Sequence, residues 1–204
     1  MAESSENWSS SVTAALADGQ QIAPSKEEFN LACDHIVQLL RDASALLENG
    51  SHATAAFLAV TAIEETSKVH LGHYRRSAKP LARQKDPLFR HAEKHLLAAG
   101  PTVAMGERLR EAVGERRVDE LVALARNGGL VSLREAALYV EQHSSGLRVP
   151  AAVIPKVAAR EVLLFAIEAF DDALVGYTDH TFALRNETDS LFSRWRSSPS
   201  SGRD

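Results

Sequence analysis

Glu64, Glu65 and Lys68 close Ala53-Thr-Ala-Ala-Phe-Leu-Ala-Val-Thr-Ala-Ile63, an apolar helical run in which charged groups are out of place. On a helix turning about 100° per residue, Glu65 lies seven positions after Leu58 and so about 20° from it. That puts it on the edge of the stripe of Leu58, Ala59, Ala62 and Val69. A carboxylate withdrawn from water there costs roughly several kcal/mol without partners, so cationic or hydrogen-bonding groups are expected around it. Lys68 follows Glu64 by four positions and Glu65 by three, and can neutralise either acid on one helix face. Taken alone, Glu64 and Lys68 also have the spacing of an ordinary helical ion pair.

Matching groups stand in Phe89-Arg-His-Ala-Glu-Lys-His95. The apolar stripe there is Leu88, Phe89, Ala92, Leu96 and Ala99, and His91, Lys94 and His95 run along one flank of it. Side chains at such boundary positions meet beside the seam of two packed helices, so Glu64, Glu65 and Lys68 are expected to face His91 and Lys94. A carboxylate beside a histidine fixes the ring and shifts its pKa, which suits acid/base work. The same mixture can bind phosphate or be a structural ionic network. His91 and His95 also have the i, i+4 spacing of helical metal ligands, but Lys68 and Lys94 repel a cation, and no metal or other cofactor is expected. His70 and His73, near the end of the second helix, read as surface residues. Tyr139 reads either as a buried tyrosine with one hydrogen bond or as a hydroxyl reaching the same pocket.

These side chains need helices to carry them, and the punctuation of the chain supplies helices only. Ser25-Lys-Glu-Glu28 is a capping box opening a helix whose stripe runs from Phe29 to Leu47 and stops at Asn49-Gly50. Ser51 caps a second helix to about Arg76. Asp86-Pro87 starts a third, which ends at Gly100-Pro101. Thr102 to Arg126 reads as one helix weakened at Gly114 or as two short ones. Ser132-Leu-Arg-Glu135 is a second capping box, opening a helix that holds Tyr139, and from Pro155 a long helix continues towards Leu184. Alternating strand patterns are absent. The expectation is all-α: a single-domain bundle of about six to seven helices over residues 25–185, after a weakly structured or briefly helical segment 1–24 and before a tail 186–204.

Of the 204 residues, 45% are hydrophobic and 25% charged, ordinary globular proportions for one domain. A net charge of -4 and a pI near 6.1 exclude a global basic field for nucleic acid or anionic lipid. One cysteine, Cys33, excludes an internal disulfide and a cysteine zinc cluster. No apolar stretch approaches the length of a membrane span, and the N-terminus lacks a basic start and an apolar core, so a cytoplasmic protein without membrane contact is expected.

The segments Asp42-Ala-Ser-Ala-Leu-Leu-Glu-Asn-Gly50, Ala55 to Lys68, Phe89 to Lys94 and Arg134-Glu-Ala-Ala-Leu-Tyr-Val140, in this order, resemble the AbiV-type abortive-infection proteins of bacteria. The resemblance covers roughly Phe29 to Leu184. Ser67 departs from it where glycine is usual, and His52 where an aromatic is common. It implies a HEPN-like helical fold, a role in limiting phage infection through RNA or translation, and a homodimer. Glu64, Glu65, Lys68, His91, Lys94 and Tyr139 match family positions. Arg90 to His95 fits the spacing of the HEPN nuclease signature, although it lies in the third helix and that motif belongs near the end of the fold.

One expected activity is metal-independent RNA cleavage. In it His91 or His95 is the acid or base, Glu65 the orienter, and Lys68, Lys94 or Arg90 the phosphate partner. The alternative is a non-catalytic helical protein that docks a phage or host protein, the charged cluster being structural.

Overall fold

The computed structural model describes residues 2–17, 19–76, 81–100, 106–144 and 146–196. Among them are ten α-helices: α1 (Ala2–Ala17), α2 (Lys26–Glu48), α3 (His52–Tyr74), α4 (His91–Ala98), α5 (Glu107–Val113), α6 (Glu115–Arg126), α7 (Gly129–Leu138), α8 (Pro150–Val153), α9 (Lys156–Leu174) and α10 (Asp179–Arg196). A 3-10 turn at Pro87–Phe89 precedes α4. A two-stranded antiparallel hairpin, β1 (Glu141–His143) with β2 (Gly146–Arg148), follows α7.

The all-α single domain is as expected, and the helix number is corrected upward from six or seven to ten. Beyond seven, the added helices among the described residues are α1, α8 and α10, and two of the breaks fall where the backbone turns left-handed at glycine. Gly114 at φ 89° divides α5 from α6, and Gly176 at φ 93° stops α9, so the long helix expected from Pro155 towards Leu184 is two. The boundary expected at residue 185 falls inside α10, which runs to Arg196 and buries Leu191, Phe192 and Trp195; residues 197–204 lie outside the described residues. Trp195 donates its Nε1–H to Ser44 Oγ on α2 at 2.8 Å, which anchors that end.

Capping followed the sequence in part. Ser25 and Glu28 form the expected reciprocal box, with Glu28 N–H donating to Ser25 Oγ at 3.1 Å and Ser25 N–H to Glu28 Oε2 at 3.1 Å. Ser51 precedes α3 without a side-chain cap bond. The box read at Ser132 is not a helix start, because α7 begins three residues earlier at Gly129, after Gly128 in the αL region. The third helix is interrupted as well. Asp86 caps the 3-10 turn, accepting from Leu88 N–H at 2.9 Å, and regular α-helix resumes only at His91.

The core lies between α2, α3 and α9, and α3 is its centre, packed against α2, α9, α4 and α7. Such a helix must be apolar nearly all round, which the Ala, Val, Phe and Ile of 53–63 satisfy. A second, smaller core of Ala15, Leu71, Leu88 and Leu97 lies under α1. No helix of the described residues is long and apolar enough to cross a membrane.

Candidate functional site

α4 presents His91, Lys94 and His95 at i, i+3 and i+4, one face of a helix, and that face meets a single side chain of α3. The acceptor is Glu64. Lys94 Nζ donates to its Oε2 at 2.6 Å, His95 Nε2 to its Oε1 at 3.0 Å, and His91 Nδ1 lies 2.8 Å from both oxygens. From α7, Arg134 brings its Nε to 3.7 Å of Oε1 while its guanidinium sits over the Phe57 ring at 5.1 Å. One carboxylate, 4% exposed in its side chain, thus ties three helices together.

The sequence-derived residues fall into two groups. Glu64, His91, Lys94 and His95 converge, as expected for a facing pair of helix flanks. Glu65 and Lys68 form their own ion pair at the edge of α3 and make no recorded contact with the histidines, so Glu64 and not Glu65 holds His91. Arg90 turns to Glu93 at 2.9 Å. Tyr139 is neither buried nor on a helix: it follows the end of α7 and is 57% exposed.

Arg134 lies in one of the segments of resemblance, but its spacing alone gives it no role. A cation opposite a buried acid in a distant segment has no spacing signal. Ser67, the departure from glycine, donates its hydroxyl to the Lys94 carbonyl at 2.7 Å and so adds a second stitch between α3 and α4.

Electrostatics divides the histidines. Burial alone would raise the Glu64 carboxyl, but hydrogen bonds from His95 and Lys94 and the Lys94 charge outweigh it and hold the group at about 2. His95, 0% exposed, is pushed below the ordinary imidazole value first by burial, with Glu64 acting in the opposite direction. A neutral His95 with its proton on Nε2 donates to Glu64, and its Nδ1 is buried without a hydrogen-bond partner. His91 is different, because its side chain is 45% exposed. With Nδ1–H donated to Glu64, the Nε2 lone pair of a neutral His91 remains as a base at the surface. Among the described residues no group of three or more His, Cys, Asp or Glu side chains could hold a metal ion.

The signs of these shifts set an acid response. A carboxyl lowered from 4.5 to about 2 contributes stability that is complete above pH 4.5 and is lost as pH falls towards 2, amounting to about 3 kcal/mol over the window. A histidine lowered from 6.5 contributes above that value and loses its contribution as pH falls below it. Urea unfolding from pH 7 to pH 3 is therefore expected to show stability declining below about 6.5 and more steeply below about 4.5. In Glu64→Gln the lower limb flattens, and an unchanged acid limb in that variant would refute the assignment.

The HEPN_AbiV family model, described as AbiV, matches residues 25–169, well over half of the chain, and spans α2 through most of α9 with every group that meets Glu64. No curated protein and no solved structure matches the chain.

Proposed function

The chain belongs to the HEPN_AbiV family, whose role is abortive infection, and from that premise we propose that it is an antiphage effector acting on RNA through His91. The observation that carries this reading is the buried Glu64 carboxylate holding the inner nitrogen of a histidine whose ring reaches solvent. A base oriented by a carboxylate is the arrangement that removes a proton from a hydroxyl. On RNA, His91 Nε2 takes the 2′-hydroxyl proton, the 2′-oxygen bonds to phosphorus, and the 5′-oxygen leaves with a proton from water. Arg134, partly exposed and 3.7 Å from Glu64, is the nearby cation available to the phosphate. His95 is too buried to meet substrate and acts only by positioning Glu64.

A second reading rests on a different face. Leu138, Tyr139, Val140 and Leu147 are exposed around the β hairpin, an isolated two-stranded element with both strands uncovered. Such a face suits docking of a phage or host protein, with the Glu64 network purely structural.

Incubating the pure protein with total RNA, with and without EDTA, separates the two. The first reading expects EDTA-resistant cleavage that is lost in folded His91→Ala. Absence of cleavage by a protein that still protects cells from phage would reject it in favour of docking.

A further inference from the structure

On the side of α3 away from Glu64 lies a pocket of about 230 Å³, open at one side and lined by α1, α3, α4 and α9. Thr66 stands two residues, about 200°, beyond Glu64 and lines it. The walls are mainly apolar, with Val12, Leu71, Leu97 and Ala173 among them. Benzene occupies a cavity of roughly 150 Å³, so a substituted single aromatic ring matches this one in size.

Three polar groups in the wall stand out because no hydrogen bond or ion pair among the described residues engages them. Thr66 is 1% exposed and its Oγ1 is buried without a hydrogen-bond partner, although a helical threonine can satisfy itself on the preceding turn, as Thr61 does on Phe57 O at 2.9 Å. Trp8 Nε1–H, a donor only, is likewise buried without a partner. Buried polar groups are normally paired, and two orphans in one cavity wall point to a ligand that pairs them.

The third group is Asp172, exposed at the mouth, with no hydrogen bond or salt bridge among the described residues. Its neighbours Glu168 and Asp171 are engaged by Arg108, which is shared with Asp189 as well. Arg108 and Arg185 answer Glu168, Asp171 and Asp189, and neither pairs with Asp172, the acidic side chain in the cavity wall, so the mouth carries an uncompensated carboxylate. An anionic ligand is excluded there and a cationic one is drawn in. His70, also in the wall, is already committed through its Nε2 to Tyr177 Oη at 3.3 Å.

We propose that this cavity binds a small aromatic amine: ring among the apolar walls, a hydroxyl or ring acceptor on Trp8 Nε1–H and Thr66 Oγ1, and the ammonium on Asp172. The site stands apart from the Glu64 network and does not depend on the RNA reading.

The test uses four probes on the full chain: tyramine, which has all three features; phenethylamine, without the hydroxyl; 4-ethylphenol, without the amine; and 3-(4-hydroxyphenyl)propionate, with an anion in its place. The indole N–H resonance of Trp8, assigned against Trp8→Phe, reports occupancy, and calorimetry reports affinity. Tyramine is expected to shift that resonance and to bind at least about tenfold tighter than 4-ethylphenol, with the propionate weakest. In Asp172→Asn, a surface change that leaves the walls intact, tyramine loses that advantage and 4-ethylphenol binds as before. Ala173→Phe fills the space and abolishes binding of all four. No shift of the Trp8 resonance by any probe would overturn the site. Equal binding of the propionate, or an undiminished preference for tyramine in Asp172→Asn, would overturn the amine assignment.

Discussion

Glu64→Ala will lower the unfolding free energy by about 3–5 kcal/mol, the cost of stranding a buried cation, whereas His91→Ala will cost about 1 kcal/mol or less. The asymmetry comes from what each change leaves behind. Removing Glu64 leaves Lys94 buried with no other ion-pair partner among the described residues, takes the acceptor from His95 Nε2 and removes the carboxylate beside Arg134. Removing His91 takes away a half-exposed ring and leaves Glu64 still paired with Lys94 and His95. Chemical denaturation of the two variants beside the parent measures the difference. Under the RNA reading the activities are ordered otherwise: His91→Ala keeps its fold and loses cleavage by about 10²–10⁴-fold, the usual worth of a positioned acid or base. Near-equal stability losses in the two variants would show that the carboxylate does not hold the helices as described. A folded His91→Ala protein with full cleavage would remove His91 from the chemistry.

The roles of the two adjacent acids show what the sequence could reveal. Helical spacing distinguishes a buried face from a wet one, and on that basis Glu65 was expected to be partly buried, while Glu64, also placed facing His91 and Lys94, had the spacing of an ordinary helical ion pair with Lys68. The inference presumes a helix with a wet face. α3 keeps only a narrow, partly exposed stripe, Thr54, Phe57, Leu58, Thr61, Glu65 and Lys68, between the helices packed on it, so Glu64 points inward and Glu65 sits on that stripe with Lys68. The run Ala53 to Ile63 is apolar on most of its circumference, which marks a helix packed on several sides and places Glu64, beside Val60 and Ile63, among its buried positions. The flank of α4 was legible because i, i+3 and i+4 positions face one way on any helix. Arg134 was not, because its approach depends on where α7 docks. Helix number was blurred for a related reason: Gly114 left one helix or two open, and the apolar pattern after Pro155 runs on past Gly176, where only the packing of α10 against α2 and α9 makes a full break.

Asp86→Ala is expected to destabilise the protein by about 3–5 kcal/mol, with the loss concentrated in α1 and the small core beneath it. Arg75 and Asp86 are both buried, and their side chains pair through two bonds, Nη1 to Oδ2 at 2.7 Å and Nη2 to Oδ1 at 2.6 Å. The same guanidinium donates its Nε–H to the Ala15 carbonyl at 2.6 Å, and the same carboxylate caps the turn before α4. The pair therefore joins the end of α1, the end of α3 and the approach to α4. Truncating Asp86 leaves a guanidinium that cannot shed its charge, and removes the cap as well. Gly19 shows how close the fit is: at φ 118°, a Cβ there would lie 2.2 Å from Arg75 Nη1. A buried ion pair is costly to break but not always costly to replace, so the double variant Arg75→Met with Asp86→Leu should be more stable than Asp86→Ala alone. Hydrogen exchange locates the effect, with the amides of α1 losing protection first and those of α3 and α9 last. Uniform loss across all helices would mean that the pair supports the main core instead. A change within about 1 kcal/mol of the parent would mean that water reaches Arg75 and the pair is not sealed.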